Sequence, residues 1–401
     1  VYDIEFTPGG NYPAKTFNID KKISFVTIGS LEDLSVSKGY YSDKVDLGWK
    51  SNSEFDEFVV ERRENDNPSS KFTKIQSIGG LNISDYALED RSCQPGVMYA
   101  YRVYGLKKCS EDVYQSKDTL YGYGFRTPTG NLYGRVAFEN GQAEKNVEVR
   151  LESDENLKLY ALKFKGSDFA NTVTNRILQF GYPLTMQLWV KPDEISGDTM
   201  TLINVANYYK LQLVDGVVSF TVGDTTITTN NQLLIDNYTH VSAVVANDST
   251  IQIYLNGDLE KELNGLNLLN NKNNDIVVFG NKYKGEIDDI RIWSRALSKD
   301  EISRDYNRYL VGDENKLDAY YTFDFMSDDE FYDLSHKGTV YNENTGVLKG
   351  AKKVYSTLSV NQLGYRGYTN EDGQYSINAV PYYGNGTSYT ITPRLGTHQF
   401  S

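Results

Sequence analysis

Long apolar runs, histidine and cysteine are what this 401-residue chain has least of. No stretch approaches the roughly eighteen apolar residues of a membrane-spanning helix, which argues against a direct helical span. No charged-then-apolar leader opens the chain, and it enters strand-like sequence directly at Val1, so it reads as a piece of a longer, processed protein. His240, His336 and His398 do not gather, and none has a Cys or His neighbour at metal spacing. Cys93 and Cys109 flank the strand-like run from Val97 to Gly105, near its opposite ends and too far apart to bridge, so both are expected as free thiols. A nucleophile elbow, a phosphate loop, a dinucleotide glycine motif and an EF-hand loop are all missing. Positive charge is in deficit: 41 Lys and Arg against 54 Asp and Glu leave −13. That balance speaks against nucleic acid or anionic membrane as the main partner, and it leaves room for calcium and neutral glycans.

What the chain does have is tyrosine and short alternating runs. Aromatics make up 13 % of it, 32 of them Tyr, a composition suited to β-sheets with partly exposed faces. Its length allows roughly two to four domains. Helical periodicity is scarce, and Gly, Asn and Asp turns separate the runs, so the sequence predicts an all-β protein of several sandwiches. Two hairpins are clear, one turning at Asp215-Gly216 between Leu211 and Val222, the other at Asn256-Gly257 after Ile251, Ile253 and Leu255. Sequons at Asn82, Asn237, Asn247 and Asn385 matter only in a glycosylating host.

The most specific stretch is 275–302. A short apolar strand ends at Gly280, Gly285 turns, and Glu286 to Trp293 alternates; Ser298 and Glu301 then form a capping box that opens the one confident helix. Regular alternation places Ile287, Asp289, Arg291 and Trp293 on one face and Asp288, Ile290 and Ile292 on the other. An inward Asp288 then needs a partner or a metal. The order G-x-I-D-D-I-R-I-W, then L-S-x-x-E-I, resembles the closing strand of laminin-G-like, concanavalin A-like jelly rolls, which implies a binding module rather than an enzyme. Further ordered matches to that family are Leu162, Phe164, Gly166 and Asp168-Phe169, then Met186 to Pro192, Tyr238 to Val244, Ile253 to Gly257, Lys316 to Phe323 and Asp333 to Ser335. Tyr238 and Asn256 depart from the usual Trp and Asp. The jelly roll is expected over 157–356.

The flanks resemble two other families. Over 31–128, Trp49, then F-x-V-E-R, then P-G-x-x-Y-x-Y-R-V resembles a fibronectin type III domain, which implies a core role for Trp49 and a corner role for Tyr99. Gly134 to Leu151 resembles the opening of a carboxypeptidase regulatory-like, transthyretin-like sandwich, whose continuation appears only at Thr369 to Ile377, Val380-Pro381 and Tyr389 to Pro393. Two strands alone bury no sandwich core, so 129–156 and 357–401 are expected to form one discontinuous domain interrupted by the jelly roll. Residues 1–30 give no specific signal.

Retaining hydrolases of this shape need E-x-D-x-x-E on one strand, with carboxyl groups about 5 Å apart. The chain begins E-x-D at Glu54, Glu64, Glu152 and Glu286, but the sixth positions are Val59, Ser69, Leu157 and Arg291, so none completes the motif. No catalytic residue is expected. The jelly-roll resemblance implies a structural calcium, with Asp288 as ligand and Asp168 and the Gly166 carbonyl as companions; the alternative is that Asp288 accepts hydrogen bonds from turn backbone. Tyr208, Tyr209, Tyr283 and Trp293 are the candidate aromatics for stacking sugar rings, each with a structural alternative. The sequence thus points to a non-catalytic binding or adhesion segment of an extracellular, bacterial cell-surface protein that recognises a glycan or protein ligand. A purely architectural stalk is the second reading, and a glycoside-active enzyme with an unrecognised site the third.

Overall fold

Polar and apolar residues alternate along most of the chain, and strands follow that alternation. In this computed structural model the described residues are 28–67, 69–80, 83–109, 111–127, 129–153, 159–172, 178, 180–195, 197–206, 208–269, 276–335, 344–382 and 386–396. His336, His398, the Asn82 and Asn385 sequons and residues 1–27 lie outside them.

The first body comprises β1 (Leu31–Val36), β2 (Val45–Ser51), β3 (Glu57–Glu64), β4 (Thr73–Gly79), β5 (Asp85–Asp90), β6 (Tyr99–Cys109), β7 (Asp112–Gln115) and β8 (Leu120–Gly124). Sheet β1-β2-β5 faces sheet β4-β3-β6-β7, in which β8 also pairs with β6. Trp49, Phe58, Tyr86 and Tyr101 fill the space between, and Tyr99 Oη accepts a hydrogen bond from Gln94 N at 3.2 Å. Cys93 is buried in this core and Cys109 is half-buried, both as free thiols.

Next come β9 (Thr129–Arg135) and β10 (Glu148–Ser153), which find their partners at the far end of the chain, in β27 (Tyr365–Tyr368), β28 (Gln374–Pro381) and β29 (Tyr389–Arg394). β10 lies between β27 and β29, and β9 pairs with β28. Val147, Val149, Leu151, Tyr365 and Ile377 pack in their small core.

Between these ends lies a two-layered jelly roll. Its strands are β11 (Tyr160–Lys165), β12 (Phe169–Thr172), β13 (Leu184–Pro192), β14 (Met200–Val205), β15 (Tyr209–Val214), β16 (Val217–Val222), β17 (Thr225–Gln232), β18 (Thr239–Asn247), β19 (Thr250–Leu255), β20 (Asp258–Leu263), β21 (Val277–Phe279), β22 (Lys284–Trp293), β23 (Leu317–Tyr321), β24 (Glu330–Phe331), β25 (Gly346–Lys349) and β26 (Lys352–Tyr355). One sheet runs β20-β19-β18-β13-β22-β11-β26, with β23 also on β22; the other runs β17-β16-β15-β14-β21-β12-β25-β24. A core of Leu, Ile, Val and Phe fills the gap between them. Both expected hairpins form, and Asp215/Gly216 (φ 47° and 78°) and Asn256/Gly257 (φ 48° and 88°) supply the two positive φ values of a tight primed turn. The helix α1 (Lys299–Asp305) starts on the expected capping box: Ser298 Oγ accepts from Glu301 N, and the Glu301 carboxylate accepts from Ser298 N.

Candidate functional site

The two sheets of the jelly roll have unlike outer sides. The side of the sheet containing β22 is covered. α1 and the segment after it lie across it, and Trp293, Leu297, Ile302, Leu310 and Tyr320 form a second, smaller core there. Beneath this cover Trp293 Nε1 donates to Gln187 Oε1 at 3.0 Å, and Gln187 Nε2 donates to Ser242 Oγ at 3.0 Å. His240 is fully buried beside the Trp189 and Tyr306 rings, and burial together with the Arg291 charge holds it well below the usual histidine range, hence neutral.

Strand β22 departs from the expected regular alternation. Arg291 stands opposite Gln187 but Asp288 opposite Trp189, so Asp289 and Ile290 together face the single residue Leu188. That is a β-bulge, and Asp289 takes a left-handed φ of 46° in it. The extra residue resets the phase. Ile287, Ile290 and Ile292 all enter the main core, while Asp288, Asp289, Arg291 and Trp293 are left to the covered outer side. The expectation that Asp288 shares a face with Ile290 and Ile292 is therefore corrected. The bulge sits where β22 changes neighbour, from β11 up to Ile287 to β23 from Ile290 onward.

Buried carboxylates line this seam. Asp289 ion-pairs with Arg291, both fully buried, and accepts from Tyr320 Oη at 3.1 Å. Asp288 accepts from Ser356 Oγ at 2.8 Å and from Asp289 N at 2.8 Å. Asp324 accepts from Tyr160 N at 2.8 Å, tying the end of β23 to the start of β11. Burial, and then the Asp324 charge, push Asp288 well above the usual carboxylate range; burial pushes Asp324 up to about 7. Asp324 also borders a partly open cavity of about 60 Å³.

A carboxyl whose pKa is raised by folding contributes most at low pH, and that contribution is lost as pH rises from the unfolded value, 3.8, through about 7. Asp324→Asn keeps an oxygen for Tyr160 N and carries no charge. It is expected to melt above the parent protein by a margin that grows between pH 5 and pH 7 and is level beyond, about 1–3 kcal/mol at pH 8. Thermal melts across that range check this, and a margin independent of pH would contradict it.

The structure keeps the expected calcium residues apart. Leu162 pairs with Ile287, so Asp288 lies level with Ala161, whereas Asp168 lies beyond Lys165, four residues or about 13 Å further along β11. Asp168 accepts from Lys165 N at 3.1 Å and Ser167 Oγ at 3.0 Å, and the stem of Lys284 lies against Gly166. Each aspartate accepts a hydrogen bond from nearby backbone, Asp288 from Asp289 N and Asp168 from Lys165 N. Among the described residues no three Asp, Glu, His or Cys side chains converge as a metal set. The candidate aromatics divide as well. Tyr209, Tyr283 and Trp293 are core residues, 1 %, 0 % and 3 % exposed, and so present no ring to a ligand. Tyr208 alone is half-exposed, in the turn between β14 and β15, where its ring covers Gly223 and its hydroxyl donates to Leu269 O.

The outer side of the other sheet is partly exposed, and its cross-strand register builds one continuous row across all eight strands: Thr226, Thr221, Lys210, Asn204, Val278, Asn171, Val347 and Glu330. At about 4.8 Å per strand the row spans about 34 Å. A second row alongside is Thr228, Ser219, Gln212 and Thr201. Their in-line neighbours Leu211, Leu213, Phe220 and Ile227 point into the core, so the polar residues are held on the opposite face. Thr221 and Thr226 hydroxyls bond each other at 2.9 Å. Tyr208 stands at the end of the strands that carry Lys210 and Thr221, with Tyr208 O accepting from Gly223 N at 2.9 Å. Sequence reasoning missed this face because it looked for aromatics. The signal was there in Lys210-Leu-Gln212 and Thr226-Ile-Thr228, polar at every second residue of neighbouring strands.

Comparison with known proteins bears on the jelly roll. Residues 164–303 match the family model described as the concanavalin A-like lectin/glucanases superfamily. No curated protein matches the chain. Among solved structures, a candidate carbohydrate-binding protein from Bacteroides ovatus is 13 % identical, with a TM-score of 0.42 over 83 % of this chain and 100 % of that one. The receptor binding domain of botulinum neurotoxin D is 14 % identical, with a TM-score of 0.32 over 60 % and 76 %. The binding domain of Paraclostridial Mosquitocidal Protein 1 is 14 % identical, with a TM-score of 0.31 over 60 % and 90 %.

Proposed function

We propose that this segment is a non-catalytic glycan-binding part of a secreted or cell-surface protein, and that the open jelly-roll face is where the glycan lies. The observation that carries this reading is the row from Thr226 to Asn171. It offers hydroxyl, ammonium and amide groups at strand spacing on one side of a rigid sheet, with the half-exposed Tyr208 ring at its border. Sugar hydroxyls need donors and acceptors of this kind, and a rigid surface loses little entropy on binding. The row contains one carboxylate, Glu330 at its end, whereas glycosidic hydrolysis uses a facing pair. The E-x-D at Glu286 is no substitute. Glu286 is tied to Lys191 at 3.1 Å and Tyr238 at 2.8 Å, and Asp288 is under the cover. In this reading the fibronectin-like body is a spacer, and the two chain ends form one interrupted sandwich, which the pairing of β10 with β27 and β29 supports.

A glycan array probed with the whole chain tests it. Thr221→Trp places a large ring on the row beside Lys210 without entering the core, and it is expected to abolish whatever binding the parent shows. EDTA is expected to leave binding unchanged, since the candidate calcium residues stand apart. Binding that survives Thr221→Trp would move the site elsewhere. A second reading, a rigid spacer, is favoured by the stacked Phe125 and Phe325 rings, 4.6 Å apart, that join the first body to the jelly roll. Failure on a broad glycan panel would leave that reading standing.

A further inference from the structure

We propose that the open jelly-roll face selects an anionic saccharide, with Lys210 as the residue that receives its carboxylate or sulfate. The inference rests on the glycan reading of the same face and adds to it the charge of the ligand. Lys210 occupies the third place in the eight-strand row, between Thr221 and Asn204, and is half-buried by them. Elsewhere on the jelly roll lysines of comparable burial are neutralised: Lys163 by Asp193 at 2.7 Å, and Lys191 by Glu286 at 3.1 Å. Lys210 has no ion-pair partner among the described residues. The carboxylate that shares its row, Glu330, is five strands away, about 24 Å, well beyond the roughly 8 Å screening length of physiological salt.

The surroundings of Lys210 complete the argument. Its half-buried neighbours in both rows, Thr221, Asn204 and Gln212, are uncharged donors and acceptors. Such a set can bind the hydroxyls of a sugar ring while the one cation takes an acidic substituent. A neutral glycan offers the ammonium only hydroxyl and ring oxygens, whereas an acidic one adds an ion pair to the hydrogen bond. The overall charge of −13 opposes this only where its carboxylates lie within the screening length, and Glu330 in the same row does not. The balance of the whole chain suggests neutral glycans; the local balance on the face reverses that preference.

The test is an array of neutral, carboxylated and sulfated glycans read with the whole chain, followed by polygalacturonate and its fully methyl-esterified form in solution, at low and high salt. Lys210→Gln and Lys210→Arg are the variants, each checked by circular dichroism for an unchanged fold. The expected result is retention of acidic glycans, with polygalacturonate bound more tightly than its ester. Lys210→Gln should weaken acidic binding about tenfold to a hundredfold and flatten its salt dependence, while Lys210→Arg retains it. Neutral glycans bound equally well by the parent and Lys210→Gln would overturn the inference and leave the glycan reading intact. Acidic glycans bound indifferently to Lys210→Gln would also overturn it. No glycan retained at all would overturn both.

Discussion

Asp289→Ala is expected to cost the jelly roll about 3–5 kcal/mol of unfolding free energy, because it strands a fully buried guanidinium. Arg291 has no exposure, and its other two nitrogens donate to Asp305 O at 2.9 Å and Arg308 O at 2.7 Å, the carbonyls of the segment that covers the sheet. Removing Asp289 therefore leaves a charge that can neither reach water nor turn to another anion without releasing that segment. Two smaller losses add to it. Tyr320 Oη loses its acceptor, and a residue with φ of 46° that Asp tolerates becomes one that Ala adopts at a cost. Asp289→Asn separates these parts, since it keeps the backbone preference and an oxygen for Tyr320 while removing the charge. It should fall between the parent and Asp289→Ala. Urea unfolding followed at the jelly roll's tryptophans measures both, and a loss below about 1 kcal/mol for Asp289→Ala would show that water or another group reaches Arg291.

This pair also marks the limit of what the sequence could reveal. The strand, the turn before it and the capping box after it follow from local rules: a period of two, a glycine at a turn, and Ser and Glu three apart. The all-β class, both tight hairpins and the jelly roll were legible for the same reason. The bulge was legible in principle, because Ile287 and Ile290 are an odd number of residues apart and cannot both face inward in a regular strand. It was hidden because Asp288 and Asp289 fit either phase. The spacing of the candidate calcium residues was out of reach for a different reason. Asp288 lies on β22 and Asp168 in the turn that follows its neighbour β11, so their distance depends on register, which no local pattern supplies. The open face was beyond reach for the same reason: Thr226, Lys210, Asn204 and Asn171 become one surface only when the order of eight strands is known. Tyrosine counts misled, since Tyr209 and Tyr283 spend their rings on the core.

Phe125→Ala is expected to divide one cooperative structure into parts. Phe125 follows β8 at the end of the first body and is fully buried; its ring stacks on Phe325 at 4.6 Å and lies 6.1 Å from Tyr332, both jelly-roll residues. Gly39 comes so close to this ring that a methyl group there would meet it at 2.6 Å, and Gly39 N donates to Phe125 O at 2.8 Å. Truncation removes about 3–5 kcal/mol of packing. The void also opens onto the 60 Å³ cavity that Phe125, Phe325, Tyr365 and Pro381 already line, so collapse around it cannot restore contact. The loss falls on the junction, because the cores of the two bodies are separate clusters that Phe125 does not enter. Calorimetry should therefore show the first body and the jelly roll melting as two separated transitions in Phe125→Ala, the jelly roll's own transition shifting little. Lys38 gives an independent readout. Its ammonium lies over the Tyr332 ring at 5.1 Å, and burial at the junction pulls its pKa down to about 8. Undocking admits water, so the Lys38 titration, followed by NMR, should return towards the ordinary lysine range. A single transition lowered as a whole, with Lys38 still titrating near 8, would mean that the junction holds without the stack.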